Sequence, residues 1–454
     1  MGKSDKKKGE LIEKGVKVVT SGNAPVKINY LISDAGGQGD VYHVSFRGND
    51  YAMKWYCKNA EDVIGGLQYD TISKMCGEDK RPSEKFVWPL FLVTEENPCK
   101  GKQFGYLMEL LPKNYYEMND FLRMDGDVSA VRFKSYNAML VAGMNIAYGM
   151  QKLHLKGFSY KDLNPKNFAL NPETGDALII DNDNVSVDGG LCTVKGMKGY
   201  MAPEIPRSKY KKSPTRETDY YSLATILYRL FFVDHPMDGK LWEKAALCTD
   251  EVEEFLYSIK PVFHFDPKNE SNRPTDVYAP NAICRWRAMP QEIRMLFINA
   301  FTEGIDYPGK RSPEGVWINT IAKCRDKLIR LNAEREQFVN FDDVRSVPPR
   351  CLGIKLGGHR VALYPQKAIY QISVDGNHHQ YGKIMAGITY NKPLDSLMIR
   401  NMTNTTWRGW SPKTKQLSDI PSGKEYPIFS GVMIEFQKDN PRIVGEIFDA
   451  RVKQ

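Results

Sequence analysis

Two changes in the spacing of apolar residues divide this 454-residue chain into three stretches, each compatible with a different class of structure. Between residues 26 and 110 the apolar residues come in short β-rich runs, at 26–32, 41–46, 51–56, 87–93 and 104–110. One helical stretch, 60–75, interrupts them. From 116 to 331 the period lengthens to that of amphipathic helices, as in segments 136–155, 220–231, 291–301 and 313–331. After a polar stretch ending in Val347-Pro348-Pro349, about nine short runs of strand formers follow. Turn signals such as Gly357-Gly358, Asp375-Gly376-Asn377, Asn391-Lys392-Pro393 and Ser422-Gly423 separate them. The expected fold class is α+β: a small mixed sheet with one helix, a helical body, then an all-β sandwich domain. The expected bounds are a basic tail at 1–24, two lobes at 25–110 and 111–336, a linker at 337–350, and the sandwich at 351–454.

Composition narrows the setting. Hydrophobic residues make up 42% and charged residues 26%, a soluble globular balance. No apolar run approaches the ~20 residues needed to span a bilayer. Met1 to Lys8 lacks the apolar core of a signal peptide, and Lys6 stands where a myristoylation site requires Ser or Thr. The eight cysteines are scattered without zinc-ligand spacing or a disulfide framework, so reduced thiols and a cytoplasmic location are expected. His378-His379 is expected at a hairpin tip, not in a metal site. The net charge of +8 is spread along the chain apart from Lys6-Lys7-Lys8. Neither nucleic acid nor a membrane is expected as a partner; acidic peptides or other polyanions stay open.

Chemistry enters through an ordered series of motifs. Gly36-Gly37-Gln38-Gly39-Asp40-Val41 lies between two strand-like runs, where glycines let a hairpin backbone close over phosphates. An ordinary glycine-rich turn has the same composition. Ala52-Met53-Lys54 follows. Lys54 either snorkels to solvent from its strand or holds the α- and β-phosphates of a nucleotide. The most specific run is Tyr160-Lys161-Asp162-Leu163-Asn164-Pro165-Lys166-Asn167, directly after a helix ending in Leu153-His154. Asp162 can accept a proton from a substrate hydroxyl, and Asn167 can coordinate magnesium. Leu178-Ile179-Ile180-Asp181 then places a carboxylate to ligate magnesium between the β- and γ-phosphates. The bland alternative for Asp162 and Asp181 is a pair of turn carboxylates. Gly199-Tyr200-Met201-Ala202-Pro203-Glu204, Thr218-Asp219 at a helix start and Gly309-Lys310-Arg311 complete the series.

In this order the motifs resemble the eukaryotic-like protein kinase family over about residues 26–331, and the divergent loops are closer to its bacterial members. The resemblance implies a two-lobed kinase that uses ATP and magnesium to phosphorylate Ser or Thr hydroxyls on a protein substrate. Nucleotide contacts would come from Gly36, Gly37, Gly39, Val41, Ala52, Lys54 and a hinge at Met108, Glu109 and Leu110. The catalytic residues would be Asp162 and Lys54, and the metal ligands Asn167 and Asp181. Glu204 should pair with Arg311, and Asp219 should brace the loop of Asp162. Lys166, four residues after Asp162, resembles the tyrosine-kinase arrangement, in which a cation from that position stabilises the transferring phosphoryl; a solvent-facing lysine is the alternative.

The chain departs from the family pattern at several places. Asp34 replaces the first loop glycine, Tyr160-Lys161 replaces His-Arg, Asn182-Asp183 replaces Phe-Gly, and Asn164 stands where Ser/Thr kinases carry lysine. Met197 stands where Gly-Thr is usual. No residue of the helix near 60–75, which offers Glu61, Gln68 and Asp70, carries the signature of the acid expected to pair with Lys54. A pseudokinase that binds nucleotide and acts as a scaffold is therefore the rival reading. Thr193 and Ser186 are candidate phosphorylation sites, and Arg207, Lys209, Lys211, Lys212 and Arg216 form a basic loop that is either solvated or faces acidic substrates. The run from Leu397 to Trp407 resembles the forkhead-associated domain, with Gly382-Lys383 in place of its Gly-Arg and no Ser-x-x-His. A protein partner is expected to dock through this domain.

Overall fold

The computed structural model describes residues 17–33, 39–56, 63–123, 131–190, 196–245, 247–438 and 443–452. The expectations placed on Asp34, Gly36, Gly37, Glu61 and Thr193 lie outside these residues.

The first sheet is antiparallel and closes on itself. It comprises β1 (Val18–Thr20), β2 (Pro25–Ser33), β3 (Gly39–Phe46), β4 (Asn49–Tyr56), β5 (Phe91–Glu95) and β6 (Phe104–Met108), in the order β1-β2-β3-β4-β6-β5. The closing strand β1 pairs with both β2 and β5. It lies inside the stretch expected to be a tail, because Val18, Val19 and Thr20 are all buried β-branched residues that suit a sheet. Helix α1 (Leu67–Met75) starts later than expected, after a turn around Gly65 at φ +85°. The strand expected from 87 begins only at Phe91, since Pro89 has no N–H to give a ladder.

The helical body is built around α3 (Tyr136–Leu155), after the short helix α2 (Met118–Leu122). The Ser135 side chain caps α3 by accepting from the Ala138 N–H at 3.0 Å. The helix Arg216–Phe232 starts on a capping box made by Thr215 and Thr218. The helix Glu314–Lys327 packs along α3. It stops short of 331, because Leu328–Arg330 turns into a strand paired with Glu336–Phe338. Two small ladders, Phe158–Tyr160 with Val185–Val187 and Phe168–Leu170 with Ala177–Ile179, hold the loops between them at the boundary with the first sheet.

The C-terminal region is all β apart from short helical turns. A six-stranded antiparallel sheet runs His359–Leu363, Leu352–Leu356, Val444–Asp449, Met433–Glu435, Trp407–Ser411, Gln416–Ile420. A four-stranded sheet runs Ala368–Tyr370, Ile384–Asn391, Ser396–Asn401, Glu425–Ile428. Side chains of both share one core, among them Ile354, Val361, Ile388, Ile399, Trp407 and Ile434. The expected linker is itself packed: Val339, Phe341 and Val347 are buried with Phe448 and Ala450. Asp375-Gly376-Asn377 is not a hairpin tip. It ends a short helix, Gln371–Asp375, on Gly376 at φ +73°. That segment seats on the helical body, where Ile372 and Tyr381 join its core. Arg325, buried, lies 3.4 Å over the Tyr370 ring and donates to the Tyr381 carbonyl at 2.7 Å. Asp326 accepts from Ser373 Oγ at 2.7 Å.

Candidate active site

Lys54 sits in β4, which is flanked by β3 and β6, so its side chain points into the junction between sheet and helical body and is 7% exposed. Its Nζ is paired with Asp181 Oδ1 and, at 2.6 Å, with Asp183 Oδ2. The chain turns sharply here: Asp181 is left-handed, at φ +58°, and Asn182–Asn184 form one 3-10 turn. Asn182 pins the turn by donating to the carbonyls of Val87 at 2.7 Å and Ile179 at 3.1 Å. Asp183 Oδ2 also accepts from Tyr56 OH at 2.6 Å, and Gln68 of α1 donates to the Asp183 carbonyl at 2.9 Å. The two carboxylates differ in access: the side chain of Asp183 is fully enclosed, while that of Asp181 is 41% exposed.

The electrostatics follow from this packing. Burial alone would lower the Lys54 pKa, but Asp183 and Asp181 reverse that and hold it above the ordinary lysine value. Burial opposes ionisation of Asp183, yet Lys54 and the Tyr56 hydroxyl carry its pKa below the usual carboxylate range. Asp181 moves up, through burial and the neighbouring Asp183 charge.

The loop Tyr160–Asn167 is fixed from behind and from within. The Tyr160 N–H donates to Asp219 Oδ2 at 2.6 Å, and the same oxygen lies 2.9 Å from His154 Nε2. His154 Nδ1 is paired with the buried Glu314. Tyr160 OH lies 2.8 Å from the carbonyls of Ile180 and Asp181, tying this loop to the next. Asn164, which replaces a lysine of the family pattern, is buried and spent on the loop: its Oδ1 accepts from Lys166 N and its Nδ2 donates to the Asp162 carbonyl, both at 3.0 Å. Asn167 donates to Tyr160 OH at 3.1 Å and to the Asp162 carbonyl at 2.9 Å. Among the described residues no hydrogen bond reaches its Oδ1. Asp162 Oδ1 accepts from Met197 N at 2.8 Å, and burial raises the Asp162 pKa. Lys166 is exposed.

Other expected residues fall around this centre. Gly39 and Val41 lie in β3, where Val41 pairs with Lys54. Ala52 pairs with Met108, the last residue of β6. Glu109 follows, its carboxylate bonded to Arg81 at 2.9 and 3.2 Å, and then Leu110. Glu204 and Arg311 form a two-pronged pair at 2.7 and 2.8 Å. The expected helix acid is not on α1: Gln68 supplies an uncharged amide, and Asp70 is exposed. The carboxylate missed in the sequence is Asp183. The signal was present, since one acid is lost from the helix while one is gained two residues after Asp181.

Residues 92–292 match the family model described as "Protein kinase domain". This stretch is a protein kinase domain. The match begins after Lys54, so β1 to β4 and α1 lie outside it. Curated relatives of the kinase domain include the "Probable serine/threonine-protein kinase irlC" of Dictyostelium discoideum, 28% identical over 38% of this chain and 12% of that protein. "Protein kinase C delta type" of Mus musculus is 34% identical over 28% of this chain and 18% of that protein. "Serine/threonine-protein kinase ULK1" of Homo sapiens is 26% identical over 40% of this chain and 20% of that protein. The chain thus spans a fifth or less of the length of these relatives. A solved structure, "ROP18 kinase domain in complex with AMP-PNP and sucrose", superposes with a TM-score of 0.44 at 15% identity, over 66% of this chain and 80% of that one. Protein kinases in general use ATP and magnesium and act on protein substrates. Among the described residues no helix is long and apolar enough to cross a membrane.

Proposed function

We propose that this chain transfers the γ-phosphoryl group of ATP to Ser or Thr hydroxyls of a protein substrate. The observation that supports the reading is a chain of contacts: Lys54 pairs with Asp181, and Tyr160 OH and the Asp162 carbonyl tie Asn167 to the segments that carry Asp181 and Asp162. The donor set suits a small hard cation: a half-exposed carboxylate at Asp181 and an unengaged amide oxygen at Asn167. When bound there, magnesium would neutralise charge on the phosphates. Lys54 holds the α- and β-phosphates, and the strand ends at Gly39, Val41, Ala52 and Met108 to Leu110 enclose the nucleoside. Asp162, held by Met197 N and made more basic by burial, takes the hydroxyl proton as the new O–P bond forms and the bond to ADP breaks. Lys166 supplies a cation beside the transferring group. The internal use of Asn164 supports this, because the loop offers no cation at that position.

The pseudokinase reading rested on the altered Asp181-Asn182-Asp183 element and on a missing helix acid; against the second, Lys54 pairs with both Asp181 and Asp183. We further infer that the C-terminal region is a β-sandwich of the forkhead-associated kind that docks the kinase domain, supported by the core its two sheets share and by the seating of Gln371–Tyr381. The test is incubation with γ-labelled ATP, magnesium and a Ser/Thr-containing protein such as myelin basic protein, with Asp162→Asn alongside. Label on protein hydroxyls with the wild type, lost in the variant, is expected. Nucleotide binding without label in either would return the pseudokinase reading.

A further inference from the structure

Among the described residues the lysine of the cleft pairs with two carboxylates, and neither comes from α1, whose Asp70 is exposed. The two do not have the same surroundings. Asp181 turns part of its side chain to the cleft, where a cation bound to the phosphates would claim it. Asp183 is sealed: one of its oxygens meets both Lys54 Nζ and Tyr56 OH at 2.6 Å, and its carbonyl is held by Gln68. Lys54 and Tyr56 are two apart on β4 and so share a face. The strand therefore grips the carboxylate at two points. If Asp181 is drawn to a metal, Lys54 keeps one fixed counter-ion; without Asp183 it would be a buried ammonium with none.

We propose that Asp183 is the positioning residue for Lys54, standing in for the helix acid and leaving Asp181 free for the metal. This rests on the kinase reading above. The charge that aims Lys54 comes from the turn after Asp181 and not from α1, whose contribution is the neutral amide of Gln68. A shift of α1 then costs the two hydrogen bonds of Gln68 and leaves the ion pair whole, so the orientation of Lys54 does not depend on the position of that helix.

The full chain is titrated with a fluorescent N-methylanthraniloyl-ADP, with magnesium and with EDTA. Asp183→Asn is expected to weaken binding about tenfold or more in both conditions, because Lys54 meets phosphate with or without metal. Asp181→Asn should weaken it only with magnesium, and Gln68→Ala should stay within about twofold. Moving the acid to the helix, Asp183→Gly with Gln68→Glu, should recover most of the affinity. Unchanged binding by Asp183→Asn overturns the inference, as does an equal loss in Gln68→Ala. If Asp183→Asn fails to fold, the relocated pair decides: a folded double variant that has lost the probe refutes the role. A wild type that binds no probe at all sinks the kinase reading and this inference together; wild-type binding with indifferent variants sinks the inference alone.

Discussion

The cleft and the Asn401 turn each place an asparagine inside a polar constellation, and they use it in opposite ways. In the cleft Asn167 spends its amide N–H groups on Tyr160 and the Asp162 carbonyl and keeps its oxygen uncommitted, beside a half-exposed Asp181. In the C-terminal region Asn401 is fully buried and saturated. Its Nδ2 donates to the carbonyls of Thr405 at 2.7 Å and Ile420 at 2.9 Å, and its Oδ1 accepts from the N–H and Oγ1 of Thr403 at 2.9 and 2.7 Å. Trp407 Nε1 takes up the Thr403 hydroxyl at 3.1 Å. Both segments carry a family resemblance in the sequence. Only the first sets a half-exposed carboxylate, that of Asp181, beside its asparagine. An open constellation is available to a ligand; a closed one holds the fold.

Substitutions should separate the two. Asp181→Ala is expected to lower phosphoryl transfer by about a hundredfold to a thousandfold, the range for removing one main stabiliser of developing charge. Its melting temperature should hold, since the side chain is half exposed. Asn401→Ala should do the reverse. Losing four internal hydrogen bonds at about 1 kcal/mol each predicts a stability loss of about 2–4 kcal/mol, read by urea denaturation. Transfer per folded molecule should be unchanged. An Asn401 variant that melts normally would break the comparison.

A third constellation sharpens it, because it is sealed yet lies behind the catalytic loop. His154 is held between Asp219 and Glu314. Burial alone would lower its pKa, but the hydrogen bonds and charges of Asp219 and Glu314 raise it from 6.5 to about 9. A histidine whose folded pKa is raised contributes stability that is complete below pH 6.5 and is lost as pH climbs through about 9. Burial pushes Asp219 up to about 6, and its effect is over before that window opens. Wild type should therefore lose on the order of 2–3 kcal/mol between pH 6.5 and 9 that His154→Gln does not. Parallel pH curves for the two chains would show that the histidine is uncharged in its pocket.

What the sequence carried and what it hid divide along the same line. Strands β2, β3, β4 and β6 could be read from their short runs of strand-forming residues, β4 and β6 being buried on both faces over much of their length, and helix α3 from its apolar period. The loop of Asp162 stood out as residue types at fixed spacing, whereas the Glu204–Arg311 pair followed only from the kinase resemblance. The closing strand Val18–Thr20 did not, because a three-residue strand has too few alternations to show a period and gains its meaning from β2 and β5. The ordered segment at 339–347 was hidden by its polar residues, which flank a few apolar anchors such as Phe341. Asp183 was hidden differently. A search for a helix acid presumes that the charge beside Lys54 must come from α1, whereas contact in space needs only a carboxylate from some element that reaches the ammonium.

The smallest effect is expected where the comparison is most exposed to failure. If the Asn401 turn is closed, the C-terminal region should show no strong preference for phosphothreonine peptides over their unphosphorylated forms. A phosphate site needs cations or free N–H and O–H donors converging on one point. Here the Thr403 hydroxyl is bonded to Asn401 and Trp407, and Asn401 has no donor left. Lys383, exposed where the family carries arginine, offers a point charge without a fork. The chain's net charge of +8 will attract any added phosphate weakly, so calorimetry should be run at two salt concentrations. A preference of about twofold that fades with salt is that background. A tenfold or larger gain that survives high salt would mean that the turn opens to donate, and the contrast with the cleft would then be one of unliganded states only.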